Sequence, residues 1–177
     1  AAALTGSLAR LGVVFGRGDA LETLARDTHV VFDKTGTVTT GMMQLVDVVC
    51  ADGVTRSELL SFAGALEHAS EHPVAKAIAT AVRSERGTLQ AVTDFENLPG
   101  MGTIGLVNGA SVMAGNETLM RRKLVLIPAA MNDALVAART GGNIGILVAI
   151  NGTVQGVCVV ADRPKANSAA AIAAFAA

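Results

Sequence analysis

The sequence predicts an α/β (α+β) fold in which an antiparallel sheet flanked by helical hairpins is inserted into a fragment of a second, parallel α/β layer. Its 177 residues suffice for one domain and part of another. The middle, residues 42–155, combines β-branched runs broken by glycine with two pairs of helices. The flanks, residues 1–41 and 156–177, differ in texture. We therefore assign the flanks to the two parts of a host domain and the middle to an inserted domain.

The N-terminal flank predicts one helix and one buried strand. Asp19 is a candidate helix cap, with Glu22 three residues later as in a capping box. The short apolar run 30–32 predicts a buried strand that needs a partner in a parallel layer. A further strand is predicted over residues 43–50.

A helical hairpin follows. Residues 57–68 have apolar positions at helical spacing, with Ser57 as the expected cap. Pro73 occupies the first position of a second helix over residues 73–83, where proline is favoured. The linking residues 69–72 read ASEH, which predicts a polar corner.

The rest of the middle predicts a sheet with a second pair of helices. The turn Asn151-Gly152 strongly indicates a β-hairpin. A last helix is expected after residues 162–165. The predicted strands cover 88–95, 103–108, 110–114, 144–150 and 154–160, and the predicted helices 116–123 and 128–139.

Composition argues against two classes of partner. Lysine and arginine number 14 against 15 acidic residues, and the aromatic residues are five phenylalanines. Single-stranded nucleic acid is usually held by basic grooves and aromatic platforms, so we expect no nucleic-acid partner. No stretch reaches the ~18 apolar residues that a membrane-spanning helix requires.

The stretch VVFDKTGTVTTG, residues 30–41, places a carboxylate where a predicted strand ends. Ligands of α/β sheets gather at that end of the strands. Asp33 could attack phosphorus and form an acyl phosphate, with Lys34 or Mg²⁺ supplying positive charge. The residues alone also allow a simple turn, because Thr and Gly are ordinary turn residues.

Residues 100–105 spell GMGTIG, which fits the GxGxxG pattern. A dinucleotide fingerprint requires a helix after the glycines, and here a strand and turn follow, so we reject that reading. Gly100 and Gly102 either let a ligand approach the backbone or form a tight turn between strands.

Two motifs resemble the P-type ATPases, cation pumps with a haloacid-dehalogenase-like phosphorylation domain. Asp33–Thr39, DKTGTVT, matches the family signature. The resemblance implies that ATP phosphorylates Asp33, with Lys34 and Thr35 beside it and Mg²⁺ at Asp33 and Thr35. Related soluble phosphatases carry a second Asp at the position of Thr35, which here would leave the aspartyl phosphate slow to hydrolyse.

The sequence SEHP, residues 70–73, is similar to a motif of the heavy-metal-transporting branch. That resemblance places His72 in an ATP pocket and Glu67 against the adenine amino group. It maps Gly100 and Gly102 onto a PGxG loop of the pocket. The pair Gly115-Asn116 matches a GN pair at the rim that contacts nucleotide, although Asn116 also suits a helix cap.

The resemblance implies the ATP-binding domain of a pump that couples ATP hydrolysis, through an aspartyl phosphate, to heavy-metal transport, with Cu⁺ the first candidate by family frequency. The parent would lie in the cell membrane through helices absent from this sequence, with this segment in the cytoplasm. The family's Mg²⁺-binding GDGxND motif is also absent, so we expect ATP binding without full turnover. Two alternatives stay open: a soluble dehalogenase-like phosphatase with a cap domain, and a non-enzymatic interaction module.

Overall fold

The computed structural model contains one antiparallel sheet with helices on both faces. It describes residues 8–10, 12–14, 17, 19–20, 23, 26 and 29–176. The helix predicted from Asp19 falls largely outside these residues. The elements are β1 Thr39–Cys50, α1 Arg56–His68, α2 Pro73–Arg86, β2 Val92–Leu98, β3 Gly102–Val107, β4 Ala110–Gly115, α3 Glu117–Arg122, α4 Ala129–Thr140, β5 Ile144–Ile150, β6 Thr153–Pro164 and α5 Ser168–Ala176.

The sheet has six strands in the order β1-β6-β5-β4-β3-β2, and every neighbouring pair is antiparallel. Asn151 and Gly152 form the β5–β6 turn with φ values of +49° and +78°. Positive φ at both central residues gives the backbone twist that a two-residue hairpin needs. The predicted antiparallel sheet and this hairpin are thus confirmed.

The two faces of the sheet bury alternate residues of each strand, as the two-residue period of a strand requires. Val112, Val148 and Cys158 pack under the α1–α2 hairpin. Met113, Leu147 and Val157 face the opposite way and pack under α3 and α4. The central strands therefore lie between two helical layers, which explains their almost unbroken apolar sequence.

The α1–α2 hairpin is confirmed, but its first cap differs from the expectation. The Thr55 side chain, not that of Ser57, accepts a hydrogen bond from the backbone N–H of Glu58, at 3.2 Å. Helix α2 begins at Pro73 as predicted, and His72 is its cap. Residues 69–72 therefore form a short corner with one helix end on each side.

The prediction of a buried strand over residues 30–32 is wrong. These residues have no regular secondary structure, and Val31 is 95% exposed. A strand needs a hydrogen-bonding neighbour, and no strand of the described part of the chain pairs with this segment. The expected parallel layer is likewise not formed there, because β6 joins the antiparallel sheet between β5 and β1.

The domain division at residues 41/42 and 155/156 stays a prediction. Strands β1 and β6 run through both positions and pair with each other from Thr39↔Pro164 to Cys50↔Gly156. None of the helices in the described ranges is both long and apolar enough to cross a lipid bilayer.

Candidate nucleotide site

A cavity of about 450 Å³ lies at one end of the central strands. It forms where β3 begins at Gly102, β4 ends at Gly115 and β5 begins at Ile144. The α1–α2 corner closes it from one face of the sheet, and the C-terminal end of α4 reaches it from the other. A mostly apolar cleft with a few converging polar groups is the usual form of a small-molecule site.

The structure brings together six residues that the sequence motifs selected separately. Two lie at the end of α1 and in the adjoining corner, two in the β2–β3 loop and at the start of β3, and two at the β4–α3 junction. All six line this cavity: Glu67, His72, Gly100, Gly102, Gly115 and Asn116. Their positions span about fifty residues of sequence, so only the fold makes them neighbours. Their roles toward a ligand stay predictions.

Glu67 is a buried acid at the end of α1. Only 4% of its surface is exposed. Burial raises the pKa of its carboxyl group to about 7, because the charged form loses its solvation, and a hydrogen bond with Thr103 opposes the rise. Glu67 can therefore accept a hydrogen bond when ionised or donate one when protonated, near neutral pH.

His72 uses one ring nitrogen to cap α2. Its Nδ1 accepts a hydrogen bond from the backbone N–H of Val74, at 3.3 Å. An accepting Nδ1 carries no proton, so the neutral ring has its proton on Nε2. His72 thus presents a donor from a ring whose orientation is fixed by the helix cap.

Gly102 and Gly115 allow two backbone segments to touch. A Cβ on Gly102 would lie 2.1 Å from the carbonyl oxygen of Ala114, and one on Gly115 would lie 2.2 Å from that of Met101. Gly100 differs, because it has φ +72° but no neighbouring atom within 4 Å of the place that a Cβ would take. Tight packing explains Gly102 and Gly115 before any ligand is considered, while Gly100 leaves room beside the cavity.

Asn116 ties the glycine loop to α3. Its Oδ1 accepts from the N–H groups of Thr118 and Leu119, at 3.0 and 3.1 Å, which caps the helix. Its Nδ2 donates to the carbonyl oxygen of Gly100, at 2.8 Å. The expected helix cap is confirmed, and the same side chain fixes one wall of the cavity.

Sequence reasoning missed the wall that α4 and β5 provide. Arg139, near the end of α4, and Asn143, Gly145 and Ile146 around the start of β5 also line the cavity. The only sequence signal was a basic residue before Gly141-Gly142, which reads as an ordinary helix end. Finding it required the strand order, because β5 lies next to β4.

Asp33, Lys34 and Thr35 do not line this cavity and are exposed. Lys34–Val38 form one irregular helical turn, within which Thr35 and Gly36 have non-helical backbone angles. Two side chains near the start of α5 hold the turn. Lys165 Nζ donates to the carbonyl oxygen of Gly36 at 2.6 Å, and Ser168 Oγ donates to that of Val38 at 2.6 Å.

Asp162 fixes the strand that follows this turn. Its carboxylate accepts from the backbone N–H of Gly41 at 3.0 Å and lies 2.5 Å from the Thr39 hydroxyl and 3.3 Å from the Thr40 hydroxyl. These bonds join the start of β1 to the end of β6. Asp33 is thus presented on a turn whose far end is anchored to β6.

Across the described residues, no group of three or more His, Cys, Asp or Glu side chains is arranged to hold a metal ion. Asp33 and Thr35 supply a carboxylate and a hydroxyl, which suit Mg²⁺ only as part of a larger set. Such sites usually combine one or two carboxylates with phosphate oxygens and water.

The fold and the turn at Lys34–Val38 can now be compared with known classes of protein. The model of the haloacid dehalogenase-like hydrolases matches residues 28–177, and the chain belongs to that family. Within it, the chain is 38% identical over 97% of its length to Copper-transporting ATPase 1 of Rhizobium meliloti (strain 1021). It is 33% identical over 93% of its length to the probable copper-exporting P-type ATPase V of Mycobacterium tuberculosis. The resemblance to heavy-metal P-type ATPases is therefore confirmed.

A solved structure extends the comparison. The chain superposes on a zinc-transporting PIB-type ATPase in its E2.Pi state with a TM-score of 0.82 and 31% identity, covering 97% of the chain and 28% of that structure. The chain spans about a fifth of the length of the curated relatives, 21% of each of the two named above. Relatives named for copper and for zinc share this segment.

Proposed function

We propose that this chain is the ATP-binding segment of a heavy-metal-transporting P-type ATPase. The observation that carries the proposal is the convergence of six motif residues on one cavity of about 450 Å³. A volume of this order accommodates a nucleotide-sized ligand. The names of the relatives give the proposal its direction.

The purine would lie at the α1–α2 corner. An ionised Glu67 accepts from the exocyclic amine of adenine, and His72 bonds to or stacks on the ring. Gly100, Gly102, Gly115 and Asn116 would line the rest of the nucleotide site. Few polar contacts are available in this cavity, so the affinity for ATP should lie in the high micromolar to millimolar range.

Asp33 would take the terminal phosphate of ATP in the parent pump. Its carboxylate oxygen attacks the γ-phosphorus, the bond to the β-phosphate oxygen breaks, and ADP leaves. Lys34 and the hydroxyl of Thr35 would support charge on the transferred group. Asp33 and Thr35 would hold Mg²⁺ together with the nucleotide, and the ion would supply positive charge to the transferred phosphate. We propose that this segment alone binds ATP without full turnover, because Asp33 and the cavity are separate.

The transported ion is Cu⁺ in this proposal, following the copper relatives. The membrane part of the parent would determine the ion, and this segment would lie on the cytoplasmic side of the cell membrane. The soluble phosphatase is the second candidate, because the family model fits it equally well. Thr35 in place of an acid makes it the weaker one, since hydrolysis of an aspartyl phosphate needs a proton-transfer group.

Nucleotide binding is tested by titrating ATP into the chain and mapping backbone amide shifts. We expect the shifts to cluster at the α1–α2 corner and the glycine loop, and GTP to bind more weakly than ATP. Glu67→Ala and His72→Gln should each weaken ATP binding about tenfold, the effect of one lost charged or well-oriented contact. Thermal unfolding establishes that both variants fold.

Matched controls are available on the same hairpin. Glu58→Ala changes an exposed acid of α1, and His68→Gln changes an exposed histidine four residues before His72. Both controls should bind ATP like the parent chain. The proposal is wrong if Glu67→Ala and His72→Gln also bind like the parent chain, or if the shifts cluster elsewhere.

A further inference from the structure

Arg139 brings a permanent positive charge to the cavity wall. It lies near the C-terminal end of α4 and lines the cavity. Its Nη2 lies 2.5 Å from both carboxylate oxygens of Glu117, in the first turn of α3. This contact lowers the pKa of the Glu117 carboxyl, so the pair is ionic at neutral pH.

The position of Arg139 is opposite to that of the proposed purine contacts. Glu67 and His72 belong to the helical layer on one face of the sheet, whereas Arg139 belongs to the layer on the other face. The cavity connects the two layers across the ends of β3, β4 and β5. A ligand with its base at the α1–α2 corner would therefore extend toward Arg139.

Most of the guanidinium is available to a ligand. Arginine has five N–H donors, and in the described part of the chain Arg139 uses only Nη2, toward Glu117. More than half of the side chain, 56%, is exposed. The planar guanidinium is suited to phosphate, because two parallel N–H groups match two oxygens and the charge persists at every relevant pH.

We propose that Arg139 binds a phosphate group of the nucleotide and that Glu117 competes with that phosphate. This inference rests on the proposed ATP-binding function and adds the residue that distinguishes nucleotides from nucleosides. The pair is partly exposed, with 56% of the Arg139 side chain and 25% of the Glu117 side chain accessible. Ion pairs open to solvent contribute little, whereas a phosphate chain offers more negative charge than one carboxylate. Glu117 keeps Arg139 at the cavity wall until phosphate replaces it.

The test compares adenosine, ADP and ATP by calorimetric titration of the full chain. Arg139→Gln should weaken ATP and ADP binding about tenfold and change adenosine binding less than twofold. Glu117→Gln should strengthen ATP binding about threefold, with adenosine again unchanged. The control is Arg56→Gln, which removes another arginine paired with a glutamate, Glu85, away from the cavity.

Each result has one meaning. If neither adenosine nor ATP binds the parent chain, the proposed function fails. If both bind and Arg139→Gln weakens them equally, or not at all, this inference fails while the proposed function stands. If Glu117→Gln leaves ATP binding unchanged or weakens it, the competition between Glu117 and phosphate is overturned. Should Arg139→Gln not fold, the ratio of ATP to adenosine affinity in Glu117→Gln still decides.

Discussion

Glu67 combines burial with a proposed role, hydrogen bonding to adenine, that favours the charged form of its carboxyl group. With 4% of its surface exposed, it loses solvation when ionised, and the pKa of its carboxyl rises to about 7. The unfolded chain would ionise this group near its ordinary value of 4.5. The folded state therefore holds a proton on Glu67 that the unfolded state releases between these two pH values.

This linkage predicts a pH-dependent stability. The contribution of Glu67 is fully present below pH 4.5 and is lost as the pH rises through 7, up to about 3 kcal/mol for a shift of this size. Glu67→Gln should remove that dependence. Urea unfolding of both proteins from pH 4 to 8 measures it, and parallel pH profiles would contradict the burial argument. ATP affinity should also fall below pH 7 in the parent chain, because in the proposed site a carboxylate accepts a stronger hydrogen bond from the adenine amine than a protonated carboxyl group does.

At the scale of elements, the connection from β2 into β3 contains glycines of two kinds, Gly100 in the loop and Gly102 at the start of β3. Gly102 packs against the backbone of β4 and has φ +145°, so a side chain meets both a clash and an unfavourable backbone conformation. Gly100 has φ +72° and open space. The same sequence pattern therefore contains one glycine required by packing and one required only by backbone conformation.

We expect Gly102→Ala to cost about 3 kcal/mol of unfolding free energy, because a Cβ 2.1 Å from the Ala114 oxygen forces the strands apart. Gly100→Ala is the matched control and should cost about 1 kcal/mol, the usual penalty for an L-residue in the left-handed region. Chemical denaturation of both variants gives the comparison. Equal losses would show that the strands tolerate separation at this point.

The elements were largely predictable because their physics is local. The two-residue alternation of strands, the proline at the start of α2 and the Asn151-Gly152 turn each specify structure within a few residues. The cap of α1 was not, since Thr55 and Ser57 are both suitable and only geometry decides which hydroxyl reaches a free N–H. The run 30–32 failed because a strand depends on a neighbour that no local pattern supplies.

The residues of the candidate site were likewise only partly predictable from the sequence. Glu67, His72 and the glycine loop were found because family motifs mark them, and the structure brings them to one cavity. Arg139 carries no such mark, and it reaches the cavity only because β5 lies beside β4. A residue whose neighbourhood arises from strand order cannot be assigned from sequence alone.

At the scale of the whole molecule, Asp162 of β6 attaches the turn after Asp33 to the sheet. Asp162→Ala removes the bonds to Gly41 and the hydroxyl of Thr39, and we expect a loss of about 2 kcal/mol. Hydrogen exchange at the Gly41 amide should accelerate at least tenfold, while amides of α1 stay unchanged. Unaltered exchange at Gly41 would mean that the turn is held by Lys165 and Ser168 alone.

The pairing of β1 with β6 also constrains the order of assembly. Residues that meet in this ladder, such as Cys50 and Gly156, are separated by roughly a hundred residues of chain, and closing so long a loop is entropically costly. The hairpins β2 to β4 and β5 with β6 need only short-range closure. Strand β1 should therefore join late, after a nucleus of neighbouring strands has formed, and the contact order it adds should slow the final folding step.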